Sequence, residues 1–398
     1  MFWINFLHFY QPANADASVI KEATEESYLR IVRALEEHPG VKFTLNIAGC
    51  LILRWDDMGY GDLIGRIKKL IKKKQIELTG TAAYHPILPL IPEKEAIRQI
   101  KEQEKILKKY FGAERPDGFF LPEMAYSPKI GKLIKKLGYK WIILDEIAYN
   151  GKFKQVDFNK EYYDKTTGLK IIFRSRDLSK SYVPDKLWEL IKRQDKTRRE
   201  DAKRSIGDLV FLTATDAELY GLRHKDHTAE FEKLLKYKNL KTKTISEFLK
   251  NLNKHYEARP LACNWESTEK ELKNKFPYAL WYDKKNKIQQ KLWQLADLIY
   301  KTVENNNKDK NYYWARWHLI RGLASCTYWW ASAKDFRLFG PISWSPDEIE
   351  RGTNELIRSI RALEGEKTRE DKIKAEKLYI KIKQMIWHKH WTYYWKKK

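Results

Sequence analysis

The chain has 398 residues, with 77 basic and 53 acidic side chains and a formal net charge of +24. A 43% hydrophobic share supports a substantial core and excludes a generally disordered chain. No apolar run reaches the roughly 18 residues a membrane helix needs, so no membrane partner is expected. Phe2–Leu7 is too short for a signal-peptide core, and no small-residue cleavage site follows it. Cys50, Cys263 and Cys326 are odd in number and far apart, which speaks against a disulfide framework or a cysteine zinc site and fits a reducing cytoplasm. The positive charge comes mostly from lysines scattered along the whole chain. That pattern reads as solvated helix faces, and no nucleic-acid motif or partner is expected. The 15 tryptophans and 23 tyrosines are more unusual. Flat amphipathic rings fill cores, and they also stack on the C–H faces of sugars.

Short apolar runs occur at Phe2–Leu7, Val41–Ile47, Ile76–Leu78, Gly118–Leu121, Tyr139–Leu144, Leu169–Phe173 and Leu209–Leu212. Helical patterns lie between several of them, at Ala17–Glu37, Gly61–Lys74, Glu93–Phe111 and Pro128–Leu137. Alternating strand and helix predicts parallel strands with helical crossovers. An open doubly wound sheet and a closed barrel both satisfy that pattern. The strand ends favour the barrel. His8, Asn46, Glu77 with Thr79, Glu123, Asp145, Arg174 and Asp216 stand in or just after successive runs. A barrel gathers such ends on one face, where its chemistry sits. No glycine-rich dinucleotide or phosphate loop is present. The predicted fold is therefore an α/β chain with a (β/α)7 barrel over residues 1–255. A helical region follows over 256–398, with helices at Trp281–Thr302, Tyr312–Ser332, Pro346–Leu363 and Thr368–Trp395. Asn305–Asn311 reads as a connecting loop. Ile373, Leu378, Ile382, Met385 and Ile386 read as the buried stripe of the last helix.

Two carboxylates stand out. Glu123 follows an apolar strand and a proline, where it would otherwise be an ion-paired or capping residue. Asp216 ends another strand, where Asp also suits a helix N-cap, and Glu218 follows two residues on. A carboxylate pair across a pocket is what glycoside hydrolysis uses, one group attacking the anomeric carbon and the other protonating the leaving oxygen. His8, Gln11 and His85 supply imidazole and amide groups suited to hydroxyl recognition. His8, His85 and Asp216 would also make a metal trio, although no His-x-x-x-His pattern supports one. Arg174, Arg176 and Asp177, at the sixth strand end, are candidates for orienting the site.

Phe6-Leu7-His8-Phe9-Tyr10-Gln11-Pro12 resembles the first conserved region of glycoside hydrolase family 57. Ile76-Glu77-Leu78-Thr79-Gly80, with Tyr84-His85-Pro86, resembles the second. Leu121-Pro122-Glu123-Met124-Ala125 is similar to the third, and Thr215-Asp216-Ala217-Glu218-Leu219-Tyr220-Gly221 to the fourth. The four motifs occur in the family's order. The resemblance implies a seven-stranded barrel followed by a helical bundle, and a retaining attack on α-1,4-glucans without a cofactor or a metal. It implies Glu123 as nucleophile and Asp216 as general acid/base. His8, Gln11, Glu77, His85 and Glu218 would then line the sugar subsites. The fifth region is most similar to Leu323–Asp335, where Trp329 and Trp330 would stack on glucose rings or pack between helix and barrel. Tyr10 stands where many members carry a second histidine, Lys74 where a glycine is usual, and Phe120 or Leu121 where a tryptophan is common. The expected partner is an α-glucan oligo- or polysaccharide. A 4-α-glucanotransferase on the same site, a metal-dependent barrel hydrolase and a non-catalytic glucan-binding homologue are the alternative readings.

Overall fold

The structure is a computed structural model that describes residues 1–200, 209–252, 255–334 and 343–396. It contains two compact units. The first comprises Met1–Gln11, Ala15–Ala83 and Leu88–Lys273; the second comprises Pro12–Asn14, Tyr84–Ile87 and the chain from Asn274 onward. No helix among the described residues is long and apolar enough to cross a membrane.

In the first unit the strands are β1 (Phe2–Phe9), β2 (Phe43–Ile47), β3 (Ile76–Leu78), β4 (Gly118–Phe120), β5 (Trp141–Asp145), β6 (Glu161–Asp164), β7 (Lys170–Arg174), β8 (Val210–Asp216), β9 (Lys241–Thr242) and β10 (His255–Ala258). β3, β2, β1 and β8 form one parallel ladder, and β4, β5 and β7 another. Isolated backbone bonds join the two ladders. Gly80 N–H donates to Gly118 O (2.9 Å) and Gly80 O accepts Phe120 N–H (2.8 Å), while Ser175 N–H donates to Leu212 O (2.9 Å). These links close seven parallel strands into a barrel, and each of the seven apolar runs is one of its staves. β6 and β10, which the alternation of apolar runs did not predict, extend the wall beyond β7. β6 runs antiparallel to β7, so the crossover from β5 to β7 is made by a strand where the other crossovers use helices.

The crossover helices follow from local chemistry. Glu93–Phe111 begins with Glu93 and Glu95 and ends with Lys108 and Lys109, charges that complement the helix dipole. Gly112, at φ 64°, then turns the chain out of it. Ala96, Ile100, Ile106, Leu107 and Phe111 form its buried stripe. The barrel interior holds Ile4, Phe6, Phe120, Trp141, Ile143, Ile172, Leu212 and Ala214. Each large apolar side chain buried there contributes about 1.5–3 kcal/mol. Ile245, Phe248 and Leu249, from the short helix Ile245–Leu249, join this cluster. Gly118 is required by packing, because a Cβ there would lie 2.0 Å from the Trp141 ring.

The second unit is helical. Its elements are Lys287–Asn305, Tyr312–Gly322, Ser325–Trp329, Pro346–Ala362 and Arg369–Lys396. The first helix starts six residues after the expected Trp281. Asn286 caps it, its Oδ1 accepting Ile288 N–H and Gln289 N–H, while Trp281 is fully buried in the preceding turn. The expected single helix over Tyr312–Ser332 is two. Ala324 is extended (ψ 140°) because it bridges to Pro86, and Ser325 N–H donates to His85 O (2.9 Å). In the last helix Ile382 and Ile386 are buried and Leu378 and Met385 half-buried, but Ile373 is 48% exposed and lies off the stripe.

Candidate active site

Register places the candidate residues in layers. Phe6 lies beside Thr44 on β2 and Ala214 on β8, and Glu77 lies beside Thr44. Two residues further along the strands, His8 lies between Asn46 and Asp216. His8 and Asp216 therefore share the carboxyl-end layer of the barrel. Glu77 lies one layer deeper. Its Oε2 accepts Thr44 Oγ1–H (2.8 Å) and Ser246 N–H (3.2 Å), and burial raises its pKa. That carboxylate is occupied with the helix that joins the core cluster.

His8 is 2% exposed. Its Nδ1 lies 2.8 Å from Asn46 Oδ1, an acceptor, so Nδ1 carries the proton and Nε2 is the basic nitrogen. Asn46 in turn donates to Thr79 Oγ1 (3.1 Å). Burial lowers the His8 pKa to about 4, although the Asp216 charge and Asn46 pull upward. His8 is thus a neutral imidazole at pH 7.

Asp216 ends β8 half-buried. Its Oδ2 accepts Arg223 Nη1–H at 2.9 Å. Glu218, 3% exposed, accepts Tyr28 O–H (2.6 Å) and Gln11 Nε2–H (2.8 Å) on Oε1. Arg223 Nη2 lies 3.6 Å from Glu218 Oε2. Burial, and then the Asp216 charge, raise the Glu218 pKa to about 7, with Arg223 acting against them. Gln11 and Glu218 are therefore brought together with His8 and Asp216, and Tyr28 and Arg223 complete the group. Neither of these last two was legible in the sequence. Tyr28 lies inside an amphipathic helical stretch, and Arg223 follows the fourth motif in an irregular segment.

Glu123 follows β4 on a tight turn with left-handed backbone at Glu123 (φ 59°) and Met124 (φ 48°). Such conformations are strained for residues with a Cβ. The neighbouring chain holds them. Glu123 O accepts Trp265 N–H (3.1 Å), and Tyr126 exchanges backbone bonds with Cys263 (2.8 and 3.3 Å). The Trp265 segment is fixed in turn by Arg174, which donates to Trp265 O (3.0 Å), and by Arg176, which donates to Ser267 O (2.7 Å). Both guanidiniums are held by the fully buried Asp145. Asp177 is exposed in the first turn of the helix Arg176–Ser179. The His8, Phe120 and Trp265 rings are 4.7, 6.0 and 6.1 Å apart pairwise, linking β1, β4 and the segment behind Glu123.

His85, Trp329 and Trp330 belong to the second unit. His85 Nδ1 lies 3.0 Å from Ser325 Oγ, and its backbone is left-handed (φ 56°). The Trp329 and Trp330 rings are half-buried, edge to face, with centroids 4.6 Å apart. Asp335, which closes the fifth motif, lies outside the described residues. Among the described residues no three His, Cys, Asp or Glu side chains are grouped as metal ligands. None of the three cysteines is in a disulfide.

The profile of glycosyl hydrolase family 57 matches residues 6–261, a span that contains Glu123, Asp216 and the His8, Gln11, Tyr28, Glu218 and Arg223 grouped with Asp216. The chain belongs to glycosyl hydrolase family 57. Among curated proteins it is 32% identical over 177 residues to an α-amylase of Pyrococcus horikoshii, covering 42% of this chain and 27% of that protein. It is 27% identical over 222 residues to α-amylase 1 of Dictyoglomus thermophilum, covering 54% of this chain and 31% of that protein. The matches thus span about a quarter to a third of those relatives' length. Among solved structures, the family 57 branching enzyme of Thermococcus kodakaraensis superposes with a TM-score of 0.67 at 16% identity, covering 96% of this chain and 95% of that one. The family 57 chain has the expected architecture, a seven-stranded α/β barrel followed along the sequence by a helical region.

Proposed function

We propose that the protein is a retaining glycosidase acting on α-1,4-glucans, with Glu123 as nucleophile and Asp216 as general acid/base. The observation that carries the reading is the delivery of two carboxylates to the carboxyl end of one barrel. One sits on a pinned left-handed turn and the other beside a neutral imidazole. The α-amylase relatives support the substrate class.

Asp216 in its protonated form gives its proton to the glycosidic oxygen as the C1–O bond breaks. A Glu123 carboxylate oxygen attacks C1 and forms a glycosyl ester. Asp216, now a carboxylate, takes a proton from water, whose oxygen attacks C1 and returns Glu123 to its carboxylate form. The two inversions give net retention. His8 Nε2 accepts a hydroxyl hydrogen of the bound sugar, a role that requires the neutral ring.

The test is incubation with maltoheptaose, separating products by chain length, for wild type, Glu123→Gln and Asp216→Asn. Wild type yields shorter chains only. Glu123→Gln is inactive, and Asp216→Asn loses about 10²–10⁴-fold in rate. Products both shorter and longer than the input would assign the protein to transfer between glucans. Turnover retained in Glu123→Gln would refute the assignment.

A further inference from the structure

We propose that Arg223 is a positioning residue for the general acid/base. Its guanidinium ties the Asp216 carboxylate to the buried Glu218, and so directs the other Asp216 oxygen to the proton transfers. The proposal rests on the role given to Asp216 above.

Two carboxylates two residues apart repel unless a cation lies between them. Arg223 is that cation, with Nη1 at 2.9 Å from Asp216 Oδ2 and Nη2 at 3.6 Å from Glu218 Oε2. A planar guanidinium holds its donors in a rigid fork, so its two Nη groups address two carboxylates in fixed directions, which the freely rotating donors of an ammonium do not fix. Glu218 is a fixed anchor for the fork, because Tyr28 and Gln11 hold its other oxygen at 2.6 and 2.8 Å.

The segment that carries Arg223 is built to bring it back over these groups. Gly221 has φ 146°, and a Cβ there would lie 2.0 Å from Glu26 O, so only glycine lets the chain turn at this point. Arg223 N–H then donates to Glu218 O (2.7 Å). Beyond it, His224 stacks on Tyr182 at 4.0 Å, and Lys225 pairs with Glu26 at 2.9 Å. Asp226 accepts Arg30 (2.7 Å), Tyr182 O–H (2.6 Å) and the backbone N–H groups of Glu230 and Phe231 (2.9 and 3.1 Å). Both flanks of Arg223 are therefore clamped. The guanidinium itself is 56% exposed, so stability does not account for this placement: exposed ion pairs contribute about 0–1 kcal/mol.

The charged and titratable groups around Asp216 are His8 from β1, Tyr28 from the helical stretch, Glu218 and Arg223. Arg223 is the permanent cation among them. Its charge favours the carboxylate that remains once the proton has been given to the leaving oxygen. Its contact with Oδ2 assigns the proton to Oδ1.

The experiment measures kcat and KM on maltoheptaose for wild type, Arg223→Met, Arg223→Lys and Asp216→Asn, each checked by circular dichroism. In Arg223→Met kcat falls about tenfold with KM within a factor of two, because the acid loses its orientation and the sugar keeps its contacts. Arg223→Lys keeps the charge but not the fork, so its kcat remains low. A kcat in Arg223→Met within a factor of two of wild type overturns the proposal. So does a rise in KM alone, which would make Arg223 a sugar contact. If Arg223→Met does not fold, the kcat against KM split in Arg223→Lys decides. Activity retained in Asp216→Asn would instead defeat the role of Asp216; an inactive Asp216→Asn beside a wild-type kcat in Arg223→Met defeats only the role of Arg223.

Discussion

Acidifying the solution should weaken the fold through His8, and the size of the effect follows from burial. The folded imidazole, 2% exposed, takes up its proton only near pH 4, against 6.5 for the ordinary group. Between those values the unfolded chain holds the proton and the folded chain does not. Stability therefore rises with pH across the window and is lost as pH falls through it. A separation of about 2.5 pH units, at about 1.4 kcal/mol each, is worth about 3 kcal/mol at neutral pH. Glu218 works in the opposite sense: its folded carboxyl keeps the proton up to about pH 7, against 4.5 ordinarily. Its contribution is present at low pH and lost as pH rises through 7, so wild-type stability alone understates both effects. The assay is urea unfolding of wild type and His8→Gln at about pH 7 and about pH 4.5. The stability of wild type relative to His8→Gln should fall by about 2–3 kcal/mol on acidification. Parallel pH dependences in the two proteins would refute the reasoning.

Two further outcomes follow from packing and charge. Gly221→Ala places a methyl group 2.0 Å from Glu26 O at φ 146°; it should cost on the order of 3 kcal/mol, read as a fall in thermal midpoint, and an unchanged midpoint would contradict the close approach. Asp145→Asn leaves Arg174 and Arg176 without their buried counter-charge; it should cost about 3–5 kcal/mol in urea unfolding, and a loss below about 1 kcal/mol would show that the arginines find other partners.

The seven staves were legible because each is buried on both faces, as a parallel sheet wrapped in helices requires. Their Val, Ile, Leu and Phe runs therefore stand out from a lysine-rich background. β6, β9 and β10 carry partly exposed residues such as Tyr163, Lys241 and Glu257, and an unwrapped strand leaves no such run. The break at Ala324 was hidden for a different reason. Tyr312–Ser332 has unbroken helical periodicity, and the bridge to Pro86 that interrupts it comes from a segment over 200 residues away. Asp216, Glu123 and His8 were legible because strand ends deliver them. The depth of Glu77 was not, since a three-residue strand gives no hint of which layer of the barrel its residues join. Arg223 was invisible because a loop arginine acquires its meaning only from the turn at Gly221.

The buried Asp145 pair explains how the strained turn at Glu123 is sustained. Buried ion pairs are often no more stabilising than well-packed apolar residues, so stability is a weak reason to have two arginines on one fully buried aspartate. Their outward contacts supply a better one. Arg174 also donates to Ala214 O (2.8 Å) on β8, two residues before Asp216, and to Trp265 O (3.0 Å). Trp265 N–H in turn holds Glu123 O (3.1 Å). One guanidinium therefore braces the strand that ends in Asp216 and the segment that pins Glu123. Left-handed backbone at Glu123 and Met124 costs about 1–3 kcal/mol each, and it persists only where surrounding bonds over-determine the turn. The Asp145 pair supplies that constraint from below, at the ends of β5 and β7, while the turn leaves the Glu123 side chain half-exposed at the end of β4.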